Sequence, residues 1–423
     1  MGTFLQKLKL VVTDSTLRRR ILFVLAALVV FRALAAIPIP GVDQGLLAAF
    51  FSNNQFLGLL NLFSGGGLSN LSIVMIGVAP YITASIIMQV LTIMSPQLKS
   101  MYQEEGEAGR RKFTQYSRLL TIPLALLQAF AFLKFLGSQG ALPPLGSFDL
   151  LVNVLVVAAG SLLLMWMGEL ITEFGIGQGI SLIIFAGIVA SLPATISQLF
   201  FTFDPSQLPL YVGFVAVALL ITLGVVVVSE AERPVPVTYS KSVRGTATSG
   251  GVSTYLPLRL NQAGVIPIIF ALSILLLPQM VLNLLSGLGY PLIDRLSALM
   301  LTFFNNSLIY GIFYFVLVFF FTYFYTAVTF DPDNLATDLQ RKGAFIPGVR
   351  PGQATAEHIG RILTRITLVG ALFLGFIAVL PIVMQSITGV AALAIGGTAL
   401  LISVSVVLDL LRKIDAQVSI REY

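Results

Sequence analysis

Residues 209–229 read PLYVGFVAVALLITLGVVVVS, twenty-one positions without a charged side chain. Lipid offers backbone N–H and C=O groups no partner, so an apolar stretch of about 20 residues crosses the hydrocarbon as a helix. Outward from this stretch, further apolar runs lie at 21–37, 71–93, 116–136, 151–172, 180–196, 263–285, 307–330, 365–388 and 390–411, which makes ten expected spans. The whole chain agrees with that reading. Of its 423 residues, 57% are hydrophobic and 10% charged, against about 45–50% and about 25% for a soluble domain. Mean hydropathy is +0.93. The expected class is an all-α polytopic membrane protein.

Charge sets the expected orientation, because Lys and Arg near span ends stay in the cytoplasm. An even span number puts both termini on one side. That side collects every one of the 25 Lys and Arg except Arg32, Lys134 and Arg295, so both termini are expected to be cytoplasmic. Five spans fall on each side of an outside loop near 197–208. The second half then enters the membrane in the opposite sense, the topology of an inverted repeat, with an N-terminal half 1–196 and a C-terminal half 197–423. Arg18–Arg20, the apolar run from Ile21 and Ala33-Leu34-Ala35 imitate a secretory signal with its cleavage site. The long basic head and Arg32 within the run argue that this stretch stays as the first span.

Much chemistry is excluded at once. Cysteine is absent and His358 is the single histidine, which removes thiol nucleophiles, disulfides and zinc sites. Gly175-Ile176-Gly177-Gln178-Gly179 has neither the setting nor the spacing of a nucleotide loop and reads as a tight turn between spans. No cofactor is implied. The spans are nearly empty of ionisable groups: Arg32, Glu169, Glu173 and Asp409 fall near span ends, where long side chains reach the interface. A secondary transporter of a small solute would carry such groups at membrane depth, which weakens that reading. An intramembrane hydrolase needs a placed nucleophile and base, and with no Cys and the lone His358 in a loop it has almost nothing to work with.

Two kinds of region stand out. Residues 52–72 are moderately apolar but carry Gly65-Gly66-Gly67 and small polar residues that would break a spanning helix, so they read as an outside loop or a short re-entrant piece before a helix starting near Ile73. On that helix Val78, Ile82 and Ile86 are spaced i, i+4, i+8 and stack on one face. The long cytoplasmic loops 230–262 and 331–364 alternate Pro with Val, as in Arg233-Pro234-Val235-Pro236-Val237, or carry Pro-Gly turns, as in Pro347-Gly348-Val349-Arg350-Pro351-Gly352. Short strands and tight turns are expected there. Loops of this length usually have a task, and their basic side chains suit RNA or an acidic protein surface.

Seven blocks in order resemble the SecY family of bacterial protein-translocation channels over essentially the whole chain. They are Phe63-Ser64-Gly65-Gly66, Pro80 to Ile86, Glu105 to Lys112, Gly175 to Ser181, Asn261 to Pro267, Gly343 to Gly348 and Ile395 to Ile402. The resemblance implies ten transmembrane helices in two inverted five-helix halves around an hourglass pore. It implies a pore ring of Val78, Ile82, Ile180, Ile184, Ile269 and Ile402, an apolar collar that closes on any passing sequence. Leu62, Phe63, Ser64, Gly65, Gly66, Gly67, Leu68, Ser69 and Asn70 match the family's plug. Thr83, Ser273 and Leu277 match its lateral gate, through which signal sequences and membrane spans partition into lipid.

Further expectations come from the same resemblance. Arg233, Lys241, Arg244 and Arg259 in the first long loop and Arg350 in the second match surfaces that dock the SecA ATPase or the ribosome. SecE and SecG are the small membrane subunits expected beside the chain, in a bacterial plasma membrane. The first loop departs from the pattern in being poor in charge, and Val78 stands where isoleucine is commoner in the ring. With no ATP site of its own, the chain is expected to be a passive channel for translocating polypeptides, driven by a partner.

Overall fold

The computed structural model describes residues 13–40, 67–68, 71–138, 142, 146–201, 208–239, 242–244, 247–249, 253–286, 295, 306–388 and 396–419. The chain is mostly helical. Helix α1 (Ser15–Ala35) begins at Asp14, whose carboxylate accepts from the N–H groups of Thr16 and Leu17, the usual remedy for unpaired first-turn donors. Helix α2 (Ala79–Met94) breaks at Ser95 into α3 (Pro96–Gln103), and the two are bent by 116°. Then follow α4 (Gly106–Ser138), α5 (Ser147–Phe174), α6 (Gly179–Phe201) and α7 (Leu208–Glu230). The second part of the chain contributes α8 (Ile266–Ser286), α9 (Ser307–Thr329), α10 (Pro332–Arg341), α11 (Gln353–Thr388) and α12 (Gly396–Ser419).

A helix overlaps each of the apolar stretches read from the sequence. By length and composition, Gly106–Gly137, Ser147–Phe174, Ser307–Arg341 and Gln353–Met384 each suffice to cross a membrane, and the bent α2–α3 pair is a fifth candidate. Shorter apolar helices run over Gly179–Pro193, Val215–Glu230 and Ile266–Leu275.

The stretch at 71–93 begins otherwise than expected. Its helix starts at Ala79, not near Ile73, and residues 71–78 form turns with positive φ at Leu71 (40°) and Gly77 (64°). Pro80 has no N–H and fits a helix only in its first turn, so it marks the start. The turn backbone finds its partners elsewhere. Ile39 N–H donates to Leu71 O and Ile73 N–H to Ile37 O, both at 2.9 Å.

Apolar burial adds little to helix association in lipid, so close backbone approach at small residues matters more. The α5–α6 hairpin illustrates this. Gly179 faces the Gly168 carbonyl so closely that a Cβ at Gly179 would overlap it. Thr172 Oγ1 accepts from the Gly179 N–H at 2.9 Å, and Gly177 turns the chain with φ 97°. Elsewhere α9 packs on α11, α2 on α4, and α7 on α12, while α8 meets both α2 and α4 and α12 meets α6.

The two long loops require an amendment to the all-α expectation, because they carry strands. β1 (Glu232–Tyr239) pairs antiparallel with β4 (Ser253–Arg259) along its length, from Glu232↔Arg259 to Thr238↔Ser253. Between them β2 (Ser242–Arg244) and β3 (Ala247–Ser249) form a hairpin. From the second loop, β5 (Ala344–Phe345) joins the other edge of β1. Val235, Val237 and Leu258 are buried against Ala344 and Ile346, and Ile359, Leu363 and Ile366 of α11 close the cluster. Alternation along β1 places those valines on one face, and the prolines between them take the exposed one.

Candidate functional site

The expected ring residues come from four helices. Val78 is the residue before α2 and Ile82 lies one turn on; Ile180 and Ile184 are on the first turns of α6; Ile269 is in the first turn of α8; Ile402 is on α12. Val78, Ile82, Ile184, Ile269 and Ile402 are buried in one hydrophobic cluster, and the partly exposed Ile180 packs against it. Ile86, the third member of the α2 stripe, belongs to the same cluster. Branched aliphatic side chains give such a junction dispersion and water exclusion without a directional bond.

Beside Ile269 lies a cavity of about 230 Å³ with a polar wall of Gln178, Arg259, Asn261, Gln262 and Arg412. Asn261 Nδ2 donates to Gly264 O at 3.3 Å, while Asn261 Oδ1 and Gln262 Nε2 are buried without a partner. Such atoms offer an acceptor and a donor to a guest amide. Arg412 is engaged elsewhere: its guanidinium donates to Glu230 Oε1 and Ser229 O, both at 2.7 Å, and so caps the end of α7.

Among the gate residues, Thr83 is buried on α2. Its Oγ1 donates to Ala79 O at 3.0 Å and accepts from Gln128 Nε2 of α4 at 3.4 Å. Ser273 on α8 donates to Ile269 O at 2.9 Å. Leu277 is also on α8, but its side chain lies outside the described residues. Of the expected plug, Gly67 and Leu68 are described and buried, Leu68 packing with Ile39, Leu71, Met75 and Leu136. Leu62, Phe63, Ser64, Gly65, Gly66, Ser69 and Asn70 lie outside the described residues.

The basic loop residues are dispersed. Arg233 and Arg259 are exposed on paired strands, Arg244 ends β2, and Lys241 lies outside the described residues. Arg350 is exposed in the turn before α11, and its carbonyl accepts from Thr355 Oγ1 at 2.9 Å. Among the described residues no cluster of His, Cys, Asp or Glu could hold a metal ion.

Three features escaped the sequence reading. Gln128 meets Thr83, Ser161 of α5 donates to Gly77 O at 2.7 Å, and Glu169 is more than an interfacial acid. Its Oε1 accepts from Arg118 Nε at 2.6 Å and ties α5 to α4. The available signal was the presence of Gln128 and Ser161 within apolar spans, since polar side chains there generally have a task.

The SecY family profile matches residues 72–411. The protein translocase subunit SecY of Mycobacterium bovis is 43% identical over 428 residues, covering 96% of each chain. That of Thermus thermophilus is 43% identical, covering 96% of this chain and 94% of its own. The Escherichia coli K12 protein is 40% identical, covering 96% and 93%. A structure described as that of a protein conducting channel superposes with a TM-score of 0.66 at 19% identity, over 96% of this chain and 93% of its own. Sec61 in a canine ribosome-channel complex gives 0.62 at 18%, over 96% and 93%. At those identities the structural likeness carries the fold.

Proposed function

This chain belongs to the SecY family, and from that premise we infer that it is the channel subunit of a protein translocase, passing unfolded polypeptides across a membrane. The observation that carries the mechanism is the junction of Val78, Ile82, Ile184, Ile269 and Ile402 in one buried apolar cluster beside a polar cavity. The ring, completed by Ile180, closes around a translocating chain by apolar contact and excludes water and ions. A hydrated chain reaches it through the cavity, where Asn261 and Gln262 offer amide groups to its backbone. Sequence-independent passage follows, because neither surface selects a particular side chain.

In this reading ten helices span the membrane in two inverted halves, 1–196 and 197–423, and both termini are in the cytoplasm of a bacterial cell. Residues 62–70 act as the plug. The lateral gate runs between α2 and α8 at Thr83, Ser273 and Leu277, a placement supported by the packing of α8 against α2 and α4. A chain segment leaves through it when lipid is the better solvent, each Leu, Ile, Phe or Val contributing about −0.3 to −0.6 kcal/mol at the bilayer centre. SecE and SecG accompany the chain. SecA or a ribosome docks on the joined loops at Arg233, Lys241, Arg244, Arg259 and Arg350 and supplies the drive, the SecY relatives being named subunits of a translocase.

The test is crosslinking in reconstituted membranes. A photoreactive group at Ile82 is challenged with a stalled secretory chain, SecA and ATP. The expected result is a crosslink to the chain in transit. Its absence, with translocation verified in the same vesicles, moves the pore off α2. Failure of translocation with every partner subunit present restores the small-solute transporter.

A further inference from the structure

Residues 71–78 run through the protein interior without helical structure, yet their backbone groups are largely accounted for. Leu71 N–H donates to Leu68 O (3.0 Å), Ser72 N–H to Gly67 O (2.8 Å), Met75 N–H to Ser72 O (2.9 Å) and Gly77 N–H to Val74 O (2.8 Å). Ile37 and Ile39, just past α1, bond to Ile73 and Leu71. The first bond of α2 runs from Ile82 N–H to Val78 O, so the Gly77 carbonyl lies outside the helix ladder. It accepts from Ser161 Oγ of α5 at 2.7 Å, in a buried setting.

The preceding residue of α5 makes that bond sterically possible. A Cβ at Gly160 would fall 2.8 Å from the Ile73 carbonyl carbon and closer still to its oxygen. These are backbone atoms, which cannot swing aside as a side chain would. Helix α5 therefore presents a glycine to one carbonyl of the turn segment and a hydroxyl to another, four residues further on. Val78, the first ring residue in chain order, follows directly.

We infer that Gly160 and Ser161 are positioning residues: they hold 73–77 on α5 and thereby set the depth of Val78 and Ile82 in the ring. The inference rests on the ring assignment proposed above. Leu71, at the head of residues 71–78, has a φ of 40°, uncommon for a residue with a branched side chain. Without the hold on α5, residues 73–77 would shift and carry Val78 with them, loosening the ring.

The experiment uses the complete translocase, with its partner subunits, reconstituted in proteoliposomes. Idle anion efflux is compared for Ser161→Ala, Ser161→Thr and the ring control Ile402→Ser, and amide hydrogen exchange is followed over 73–78 and over α5. Ser161→Ala is expected to raise idle efflux about tenfold, the order a lost buried hydrogen bond implies. Exchange should quicken at 73–78 and not within α5, and Ser161→Thr, which keeps the hydroxyl, should restore both. Unchanged efflux in Ser161→Ala beside a leaking Ile402→Ser overturns the anchor and leaves the ring standing. If neither variant leaks, the ring assignment fails and takes the anchor with it. Faster exchange throughout α5 reduces Ser161 to a general packing role and equally overturns the inference.

Discussion

Lys99 Nζ lies 3.7 Å from Asp331 Oδ2, joining the bend after α2 to the residue that caps α10. Asp331 is already committed, since its Oδ1 accepts from the N–H groups of Asp333 and Asn334. The pair therefore links a capped, fixed carboxylate to a flexible and mostly exposed lysine. It bridges α3, which follows the proposed gate helix α2, to α10, which follows α9, a helix packed on the other proposed gate helix α8.

Exposed pairs of this kind contribute about 0.2–1 kcal/mol and weaken with salt. Lys99→Gln is expected to raise idle channel opening by no more than about fivefold. The difference from wild type should shrink as salt rises from low to about 0.5 M. Single-channel recording across that range checks it; a salt-independent difference would assign the effect to something other than the pair.

Polar substitution in the ring has a different signature. Ile82→Ser or Ile402→Ser places a hydroxyl where five of the proposed ring residues are buried together, and an unbonded hydroxyl there costs about 1–3 kcal/mol. The closed junction loosens, ion leak rises, and weaker signal sequences are accepted. Conductance and export of a signal-defective substrate are the two measurements. Wild-type values in both would remove these residues from the ring.

The two long loops should fail together. Ile346 packs with Val235, Val237 and Leu258 of the first loop. Ile346→Asp buries an unpaired charge among them, a defect of the severe class at about 3 kcal/mol or more. Limited trypsin digestion is expected to open sites near Lys241 and Arg244 as well as near Arg341 and Lys342. Cleavage confined to the second loop would mean that β5 does not hold the sheet.

Arg350→Glu changes an exposed side chain whose backbone carbonyl, not its guanidinium, makes the recorded bond to Thr355. The fold should therefore be preserved while SecA-driven export falls, by about tenfold if one charged contact to the partner is lost and reversed. Export assayed with and without excess SecA reports it. Undiminished transport at limiting SecA would remove Arg350 from the docking surface.

Deleting Leu62–Asn70 removes the carbonyls of Gly67 and Leu68 that accept from Ser72 and Leu71, but keeps the bond from Ser161 to Gly77. Idle leak should rise while ATP-driven export persists, because the ring remains. A channel still tight to ions would place the plug elsewhere.

Membrane class and the apolar stretches were legible in the sequence, because lipid imposes a length and a composition on every span. Turn chemistry was legible too: Gly177 closes the α5–α6 hairpin, and the Pro–Val alternation lies in β1. What the sequence could not place was the start of α2, where Pro80 and the bonds from Ile73 to Ile37 and from Ile39 to Leu71 outweigh an apolar run that reads as helix from Ile73. Only the tertiary structure put Ser161 against Gly77, Arg118 against Glu169 and β5 beside β1. Periodicity reports which face a residue takes on its own helix or strand. Which distant backbone will need that face is decided when the helices pack, and in lipid that choice depends on glycine clearances and single hydrogen bonds that no local pattern records.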